Sequence, residues 1–173
     1  MAETVVVASV DHRDVKSDFS SFGQFIDVAA PGGESDYRPV GVRCVDTGKA
    51  NILSLRAQGT DMFNDGRPCY RSGDAVIPRG NLNGQYYVSL GTSMAAPHAV
   101  GVAALIRAAR PDFTNVDVLN ALRVSAEDIH AAGFDIQSGF GRVNAQAAVQ
   151  QDRTVLILLE SERMREFAGN GNQ

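Results

Sequence analysis

A serine lies at the start of a segment that is almost wholly apolar. Ser93 precedes the run from Met94 to Ile106, in which only His98 is overtly polar. The run predicts a buried helix, because a helix that is apolar on every side packs inside a core. It is also too short to span a bilayer. A helix N-terminus leaves backbone N–H groups unpaired and carries the positive end of the macrodipole. Ser93 is therefore a candidate nucleophile beside groups that could hold a developing oxyanion.

The residues from Gly91 to His98 resemble the nucleophile motif of the subtilisin-like serine proteases. The family motif is G-T-S-M-[AS]-x-P-H, and the chain has G-T-S-M-A-A-P-H with Ser93 at the nucleophile position. The match is specific, because methionine, proline and histidine are rare residue types and each falls at its fixed place.

Segments on both sides of this motif resemble the same family. Before the motif, residues 5–11 match the family's V-x-x-V-D strand, and residues 19–23 and 26–32 match its F-S-[SN]-x-G and D-V-x-A-P-G segments. After the motif, residues 110–114 match its closing helix and residues 139–145 match its G-x-G-x-[IV]-[ND] ending. The resemblance covers residues 4–32 and 52–150. It implies an α/β fold, namely part of the subtilisin-like three-layer fold with a parallel sheet and a buried central helix that begins at the nucleophile serine.

The resemblance implies hydrolysis of peptide bonds through an acyl-enzyme on Ser93. In the family a histidine takes the serine proton, an aspartate orients that histidine, and an asparagine holds the oxyanion together with the serine amide. Thr92 is then expected to support the oxyanion site with its hydroxyl. The family motifs for the aspartate, histidine and asparagine precede the strand that begins here at residue 4, and the sequence contains no H-G-T-H-V block. The chain thus resembles the C-terminal half of the catalytic domain and is expected to be nearly inactive alone.

None of the three histidines is expected to replace the missing base. His98 lies five residues after Ser93, about 140° around a helix, and is predicted to be a hydrogen-bonded core residue. His12 is predicted in a solvated turn, and His130 beside the C-terminal end of a helix. Asp46 lies in a D-T-G tripeptide like that of the family's catalytic aspartate. This tripeptide is also an ordinary turn sequence, so a turn is predicted and a permuted active site is the alternative.

Apolar runs separated by glycine and proline predict short strands. Residues 4–10 are typical of a strand buried on both faces of a parallel sheet, and residues 25–29 and 52–55 predict two more strands. The segments 33–50 and 57–84 are rich in Gly, Asp, Asn and Pro and predict loops.

Three helices are predicted after the serine. The first runs from about Thr92 to Arg110 and contains Pro97, which removes the helical partner of the Ser93 carbonyl. The second begins after Thr114, which can form a capping box with Asp117; its predicted apolar stripe is Val118, Leu119 and Leu122. The third covers residues 144–150.

The predicted domain organisation is one half-domain and a tail. Residues 1–150 form the C-terminal half of the peptidase domain, with residues 33–51 as a divergent insertion. Residues 151–173 form an extra tail that is partly disordered. Within the tail, the apolar run 154–159 and the charged run 160–166 could add a strand and a helix or bind a partner.

The two cysteines and one acidic loop are the candidates for a disulfide and for metal binding. Cys44 and Cys69 allow one disulfide in an exported protein and two free thiols otherwise, and their spacing fits no zinc pattern. Residues 61–66 carry oxygen donors near a glycine, but Phe63 stands where a calcium loop of the EF-hand type needs an acid or amide, so a turn is predicted. No cofactor is expected; calcium binding occurs in some family members, and no such site is identifiable here.

Composition indicates a globular protein with a peptide or protein substrate as partner. The chain has 173 residues, 44% of them hydrophobic and 21% charged, which is a folded rather than a disordered composition. A net charge of −4 disfavours nucleic acid and anionic membranes as partners. Met1-Ala2-Glu3-Thr4 shows no basic region of a signal peptide, although the family is mostly secreted, so the localisation stays unknown.

Three interpretations remain open from the sequence. The chain is the serine-bearing part of a serine endopeptidase, or a catalytically inactive truncated module that packs against a partner polypeptide, or a small independent hydrolase that recruits Asp46 or another acid. The partner in the first two cases would be the missing N-terminal half of the domain or a self-associating copy, because an incomplete sheet leaves apolar faces uncovered.

Overall fold

The computed structural model describes residues 4–34, 37–40, 43–46, 52–55, 70–72, 75–77, 81–82 and 86–153. Within these ranges the chain forms strands first and helices afterwards. In chain order the strands are β1 (Val7–Val10), β2 (Val28–Pro31), β3 (Tyr37–Val40), β4 (Arg43–Asp46), β5 (Ile52–Leu55), β6 (Tyr70–Ser72), β7 (Ala75–Ile77), β8 (Asn81–Leu82) and β9 (Tyr86–Ser89). The helices are α1 (Thr92–Ala109), α2 (Asn115–Val124) and α3 (Ala145–Val149).

Strands β1 and β2 are hydrogen-bonded neighbours that run in the same direction. The Val28 N–H donates to the Val6 carbonyl, and four residues later the Gly32 N–H donates to the Val10 carbonyl. The register therefore advances equally along both strands, which is the parallel arrangement. Five apolar residues of these strands are buried, as the sequence predicts for a parallel sheet: Ala8, Val10, Val28, Ala29 and Ala30. Val7 is only half-buried and Val6, just before β1, is exposed, so the prediction for residues 4–10 is confirmed in part.

The chain divides into two compact units. We call residues 1–8, 22–30 and 96–173 the helical unit, and residues 9–21 and 31–95 the strand-rich unit.

The core of the helical unit forms where one stripe of α1 packs with α2, α3 and a residue of β2. Ala99, Val102 and Ile106 supply the stripe, at helical spacings of three and four. Their buried partners in the core are Val28, Phe113, Val118, Ala121, Leu122 and Ala148. Ile106 and Leu122 are fully buried.

The opposite side of α1 is exposed. Val100 is 67% exposed and Leu105 is 52% exposed, and His98 is exposed as well. The predicted helix is present with nearly the predicted bounds, but only one of its faces is buried within the described part of the chain. The prediction of a core histidine at position 98 is therefore wrong, because His98 lies outside the buried stripe.

Helix α2 begins as its sequence predicts. The Thr114 side chain accepts a hydrogen bond from the Asp117 N–H at 3.2 Å, and the Asp117 carboxylate accepts one from the Thr114 N–H at 2.7 Å, which completes the capping box. Val118, Leu119 and Leu122 are buried, so the predicted stripe is confirmed. In α3 the side chain of Asn144 caps the N-terminus through the Ala147 N–H.

Both predicted loops contain paired strands, so the loop predictions are wrong in these places. Strands β3 and β4 are antiparallel, with Tyr37 opposite Asp46 and Val40 opposite Arg43. Strands β6 and β7 are likewise antiparallel, with Ser72 opposite Ala75. In each hairpin two residues separate the paired ends, Gly41-Val42 and Gly73-Asp74. Two residues that include a glycine, placed between two strand-like segments, are a hairpin signal. Loops were predicted instead, because these segments are polar overall.

The third predicted strand is confirmed as β5, which pairs antiparallel with β9, and β9 also pairs with β8. Strand β9 leads directly into the Ser93 segment. Several predictions lie outside the described residues: the bonding of Cys69, the turn at 61–66, and the tail 154–173. A search of the described part found no helix with the length and hydropathy that a membrane crossing requires.

Candidate functional site

Ser93 is the second residue of α1, and it is exposed. Gly91 precedes the helix, and its carbonyl accepts hydrogen bonds from the N–H groups of Met94 at 2.9 Å and Ala95 at 3.2 Å. Helical bonding thus begins with Met94, and the Ser93 N–H lies in the first turn, where the helix offers no acceptor. The side chain and amide of Ser93 therefore stand together at the positive end of α1.

Gly91 adopts a backbone conformation that suits glycine alone. Its φ of +143° is rarely reached by residues with a Cβ. This conformation helps turn the chain from β9 into α1, which only two residues separate. The requirement explains why glycine occupies the first position of the motif.

Pro97 lies inside α1, four residues after Ser93. Because its ring nitrogen carries no hydrogen, the Ser93 carbonyl loses the partner that an ordinary helix would supply. The first turn of α1 is therefore less strongly tied to the following turn than in a regular helix.

The serine segment is held beside the ends of the two parallel strands. The Gly91 N–H donates to the Gly32 carbonyl at 2.8 Å, and the Gly32 N–H donates to the Val10 carbonyl at 3.0 Å. A Cβ on Gly32 would lie 2.1 Å from Ser9 Oγ and 2.7 Å from the Gly91 carbonyl oxygen. Residue 32 must therefore be glycine for the Gly91 segment to approach so closely.

A buried group of serine hydroxyls lies beneath this contact. Ser9 Oγ and Ser17 Oγ are 2.7 Å apart, and the Ser17 hydroxyl donates to the Gly33 carbonyl at 2.6 Å. Ser20 Oγ accepts from the Ser9 N–H at 2.9 Å. Ser9 and Ser17 are completely buried, so these hydrogen bonds are shielded from water.

A carboxylate fixes the turn that follows β1. Asp11 accepts hydrogen bonds from the N–H groups of Arg13 and Val15, and its side chain forms an ion pair with the Arg13 guanidinium at 2.7 Å. Burial raises the pKa of Asp11, but the hydrogen bonds from Arg13 and Val15 and the positive charge of Arg13 outweigh it and lower the pKa overall. The carboxylate therefore stays ionised and keeps this turn closed.

The other candidate residues are Thr92, His12, His130 and Asp46. Thr92 is half-buried as the first residue of α1, and His12 is exposed in a turn after β1, as predicted. His130 follows the last residue of α2 by six residues, and its pairing with the helix end stays a prediction. Asp46 is the last residue of β4.

A metal site built from side chains needs several donor groups close together. Within the described ranges no three His, Cys, Asp or Glu side chains lie together in a way that could hold a metal ion.

Sequence reasoning missed the buried hydroxyls of Ser9 and Ser17 and the contact between Gly32 and Gly91. Ser9 lies in β1 and Ser17 lies eight residues later in the chain, a spacing with no motif. Gly32 did carry a signal, because it ends the A-P-G segment. Its contact with Gly91 joins residues far apart in the chain, which no local pattern can specify.

Comparisons with known proteins agree with this geometry. The model of the Subtilase family matches residues 1–141. The chain is 32% identical over 122 residues to an extracellular serine protease of Serratia marcescens, covering 66% of this chain and 12% of that protein. It is 30% identical over 149 residues to alkaline elastase YaB of Bacillus sp. (strain YaB), covering 86% of this chain and 28% of that protein.

A solved structure agrees as well. Fervidolysin of Fervidobacterium pennivorans, described as a keratinolytic enzyme related to subtilisin, superposes with a TM-score of 0.62 at 25% identity, covering 87% of this chain and 19% of that one. The chain therefore spans less than a third of the length of these relatives, and its α/β fold is subtilisin-like. Because the family model matches most of its residues, the chain belongs to the subtilase family of serine proteases.

Proposed function

We propose that this chain supplies the nucleophile part of a serine endopeptidase, with Ser93 as the catalytic residue. The observation that carries the proposal is the position of Ser93, exposed in the first turn of α1 with its N–H outside the helical bonding pattern. Acyl transfer to serine requires a hydroxyl that can attack a carbonyl and a nearby N–H that can donate to the oxyanion, and Ser93 offers both.

In the proposed reaction Ser93 Oγ attacks the carbonyl carbon of a peptide bond while a histidine takes its proton. The Ser93 N–H donates to the oxyanion as it forms, with Thr92 supporting that site, and the acyl-enzyme is then hydrolysed by water. The substrate class is a peptide or protein.

The base, its aspartate and the oxyanion asparagine are proposed to come from polypeptide outside these 173 residues. His98 is on α1, about 140° around the helix from Ser93, and it therefore points away from the proton that must be removed. Removal of triad members lowers turnover by about 10⁴ to 10⁶-fold, so the isolated chain is expected to be nearly inactive.

The partner is proposed to bind the exposed side of α1. A groove of about 310 Å³ runs between α1 and α2. It is lined by one stripe of each helix, Val100, Ala103, Ala104 and Arg107 with Asn115, Val118, Leu119 and Leu122, and by Val5. Apolar surface of this kind is typical of a face that another element covers. The missing N-terminal half of the domain is the proposed occupant, and a self-associating copy is the alternative.

An active-site label tests the proposal. The isolated chain would be treated with a fluorophosphonate, alone and after mixing with a subtilase fragment that carries the D-[ST]-G, H-G-T-H and oxyanion asparagine segments. We expect labelling of the isolated chain to equal that of the Ser93→Ala variant, and labelling at Ser93 to appear when the fragment is added.

Two outcomes would contradict parts of the proposal. Labelling of Ser93 in the isolated chain would show that a base lies within these residues. A fragment that co-sediments with the chain but never produces labelling would favour the alternative, a catalytically inactive module that packs against a partner. The exposed face of α1 is the observation that favours that second candidate.

The relatives named as extracellular suggest where the whole protein works. We propose an exported protease, in which Cys44 and Cys69 would be bonded to one another. Mass spectrometry of the non-reduced chain from its native compartment would detect this bond.

A further inference from the structure

The serine hydroxyls beneath the candidate site form a hydrogen-bonded relay with one direction. A hydroxyl has a single proton, and Ser17 donates its proton to the Gly33 carbonyl. In the contact between Ser9 and Ser17, at 2.7 Å, Ser9 is therefore the donor. The relay runs from Ser9 to Ser17 to Gly33, and both side chains are fully buried.

The relay ends on the segment that holds Gly91. Gly33 is bound through its carbonyl by Ser17, and the neighbouring Glu34 carboxylate accepts the Asp18 N–H at 3.0 Å. These two bonds fix residues 33–34 to residues 17–18. Gly32, one residue earlier, accepts the Gly91 N–H at 2.8 Å.

Gly91 in turn sets the start of α1. Its carbonyl accepts the first helical hydrogen bonds, and its N–H is bound to Gly32. Both sides of residue 91 are thus fixed two residues before Ser93. A shift of the Gly32–Gly33 segment would therefore move the Ser93 amide.

We propose that Ser17, supported by Ser9, is a positioning residue for the Ser93 amide, an inference that rests on the proposed function. Ser17 touches no reacting atom. Its hydrogen bond fixes the position of the Gly32–Gly33 segment, which binds Gly91. The position of Gly91 in turn sets that of the Ser93 N–H, the proposed oxyanion donor. A misplacement of about 1 Å in a catalytic group lowers rates by about 10²-fold, which is why such support matters.

The two hydroxyls are expected to contribute unequally. Ser17→Ala leaves the Gly33 carbonyl without its buried donor and frees the segment. Ser9→Ala leaves the bond from Ser17 to Gly33 in place and removes only the outer hydroxyl. The order of effects on Gly91 and Ser93 should therefore be Ser17→Ala first, Ser9→Ala second.

Ser125→Ala is the matched control. Ser125 is also buried, and its hydroxyl donates to the Ala121 carbonyl at 2.6 Å, in the helical unit. The change removes a buried hydroxyl that donates to a backbone carbonyl, as Ser17→Ala does, although the Ala121 carbonyl keeps the Ser125 N–H as a donor at 3.2 Å. Ser125 has no connection to Gly91 through this relay.

Amide hydrogen exchange of the full ¹⁵N-labelled chain gives a readout that needs no activity. In Ser17→Ala we expect the Gly91 amide to exchange about tenfold faster than in the wild type, with a smaller change for amides within α2. Ser125→Ala should show the reverse order. Equal acceleration of Gly91 and α2 amides in Ser17→Ala would overturn the positioning role, since it would indicate general destabilisation.

Reactivity of Ser93 gives the second readout. In the mixture with the subtilase fragment, Ser17→Ala should lower the rate of fluorophosphonate labelling by about tenfold to a hundredfold, and Ser125→Ala should leave it near the wild-type rate. An unchanged labelling rate in Ser17→Ala would overturn the proposal. If the wild type itself is never labelled, the proposed function fails, and the exchange measurement still decides whether Ser17 positions Gly91.

Discussion

At the scale of single residues, the segment that carries the candidate nucleophile Ser93 is held by a close backbone contact between Gly32 and Gly91. Gly32 and Gly91 approach each other so closely that no side chain fits between them, and the Ser9 hydroxyl fills the space behind Gly32. The sequence motif predicted Ser93 as the nucleophile because its neighbours are rare residue types in fixed order. It could not identify Ser9 or Ser17, whose importance comes only from their position in the folded chain.

Substitution of Gly32 by alanine should destabilise the protein. The added Cβ would lie 2.1 Å from Ser9 Oγ and 2.7 Å from a backbone oxygen, and the backbone cannot withdraw as a flexible side chain could. We expect a loss of about 1 to 3 kcal/mol in the free energy of unfolding, measured by urea denaturation at low protein concentration.

Gly101→Ala is the matched control for this prediction. Gly101 lies within α1, and a Cβ there would meet no atom within 4 Å. Alanine is better than glycine in a helix by about 1 kcal/mol, so this variant should be slightly more stable than the wild type. If both variants change stability in the same direction, the contact at Gly32 does not have the assigned effect.

At the scale of elements, local signals were sufficient for the helices and insufficient for the hairpins. Helix α2 carries its own start signal in Thr114 and Asp117. Strands β3, β4, β6 and β7 lack a long apolar run, so their pairing depends on partner strands rather than on their own composition.

Asp117→Ala should weaken α2 in a pH-dependent manner. The hydrogen bond from Arg153, supported by those from Thr114, lowers the pKa of Asp117 to about 2 against the opposing effect of burial. A carboxyl group with a lower pKa in the folded state stabilises that state above its unfolded pKa of about 3.9. The stabilisation is lost as the pH falls through about 2.

The measurement is the unfolding midpoint of wild type and variant between pH 6 and pH 2. We expect the variant to be less stable by about 1 kcal/mol at pH 6, the usual effect of losing a cap, and the difference to shrink below about pH 4. Asp112→Ala controls for the loss of one negative charge beside the same helix. A difference that stays constant down to pH 2 would contradict the assigned role of the Asp117 charge.

At the scale of the whole molecule, apolar side chains remain exposed in both units. In the helical unit, Phe22 and Phe25 are 65% and 77% exposed. In the strand-rich unit, Leu53 and Leu55 are exposed on β5, which lies at the end of the described three-stranded sheet. An apolar strand at the edge of a sheet is a site where another chain can add.

We therefore predict that the isolated chain self-associates as its concentration rises. Sedimentation velocity at increasing concentration should show species larger than the monomer, and Leu55→Lys should reduce them. The control is Val15→Lys, a substitution of another exposed apolar residue of the strand-rich unit, one that lies outside the strands. A chain that stays monomeric at every concentration and unfolds in one sharp transition would show that the exposed surface needs no partner.

The sequence by itself predicted the family, the candidate nucleophile Ser93, the approximate bounds of the helices and the capping of α2, because these depend on residues that are close together in the chain. Only the tertiary structure decided which face of α1 is buried, how the hairpins pair, and how Ser9 and Ser17 come together with the Gly32–Gly33 segment that binds Gly91. Those features depend on contacts between segments separated by many residues, and the hydrogen bonds and steric limits that create them exist only once the segments lie side by side.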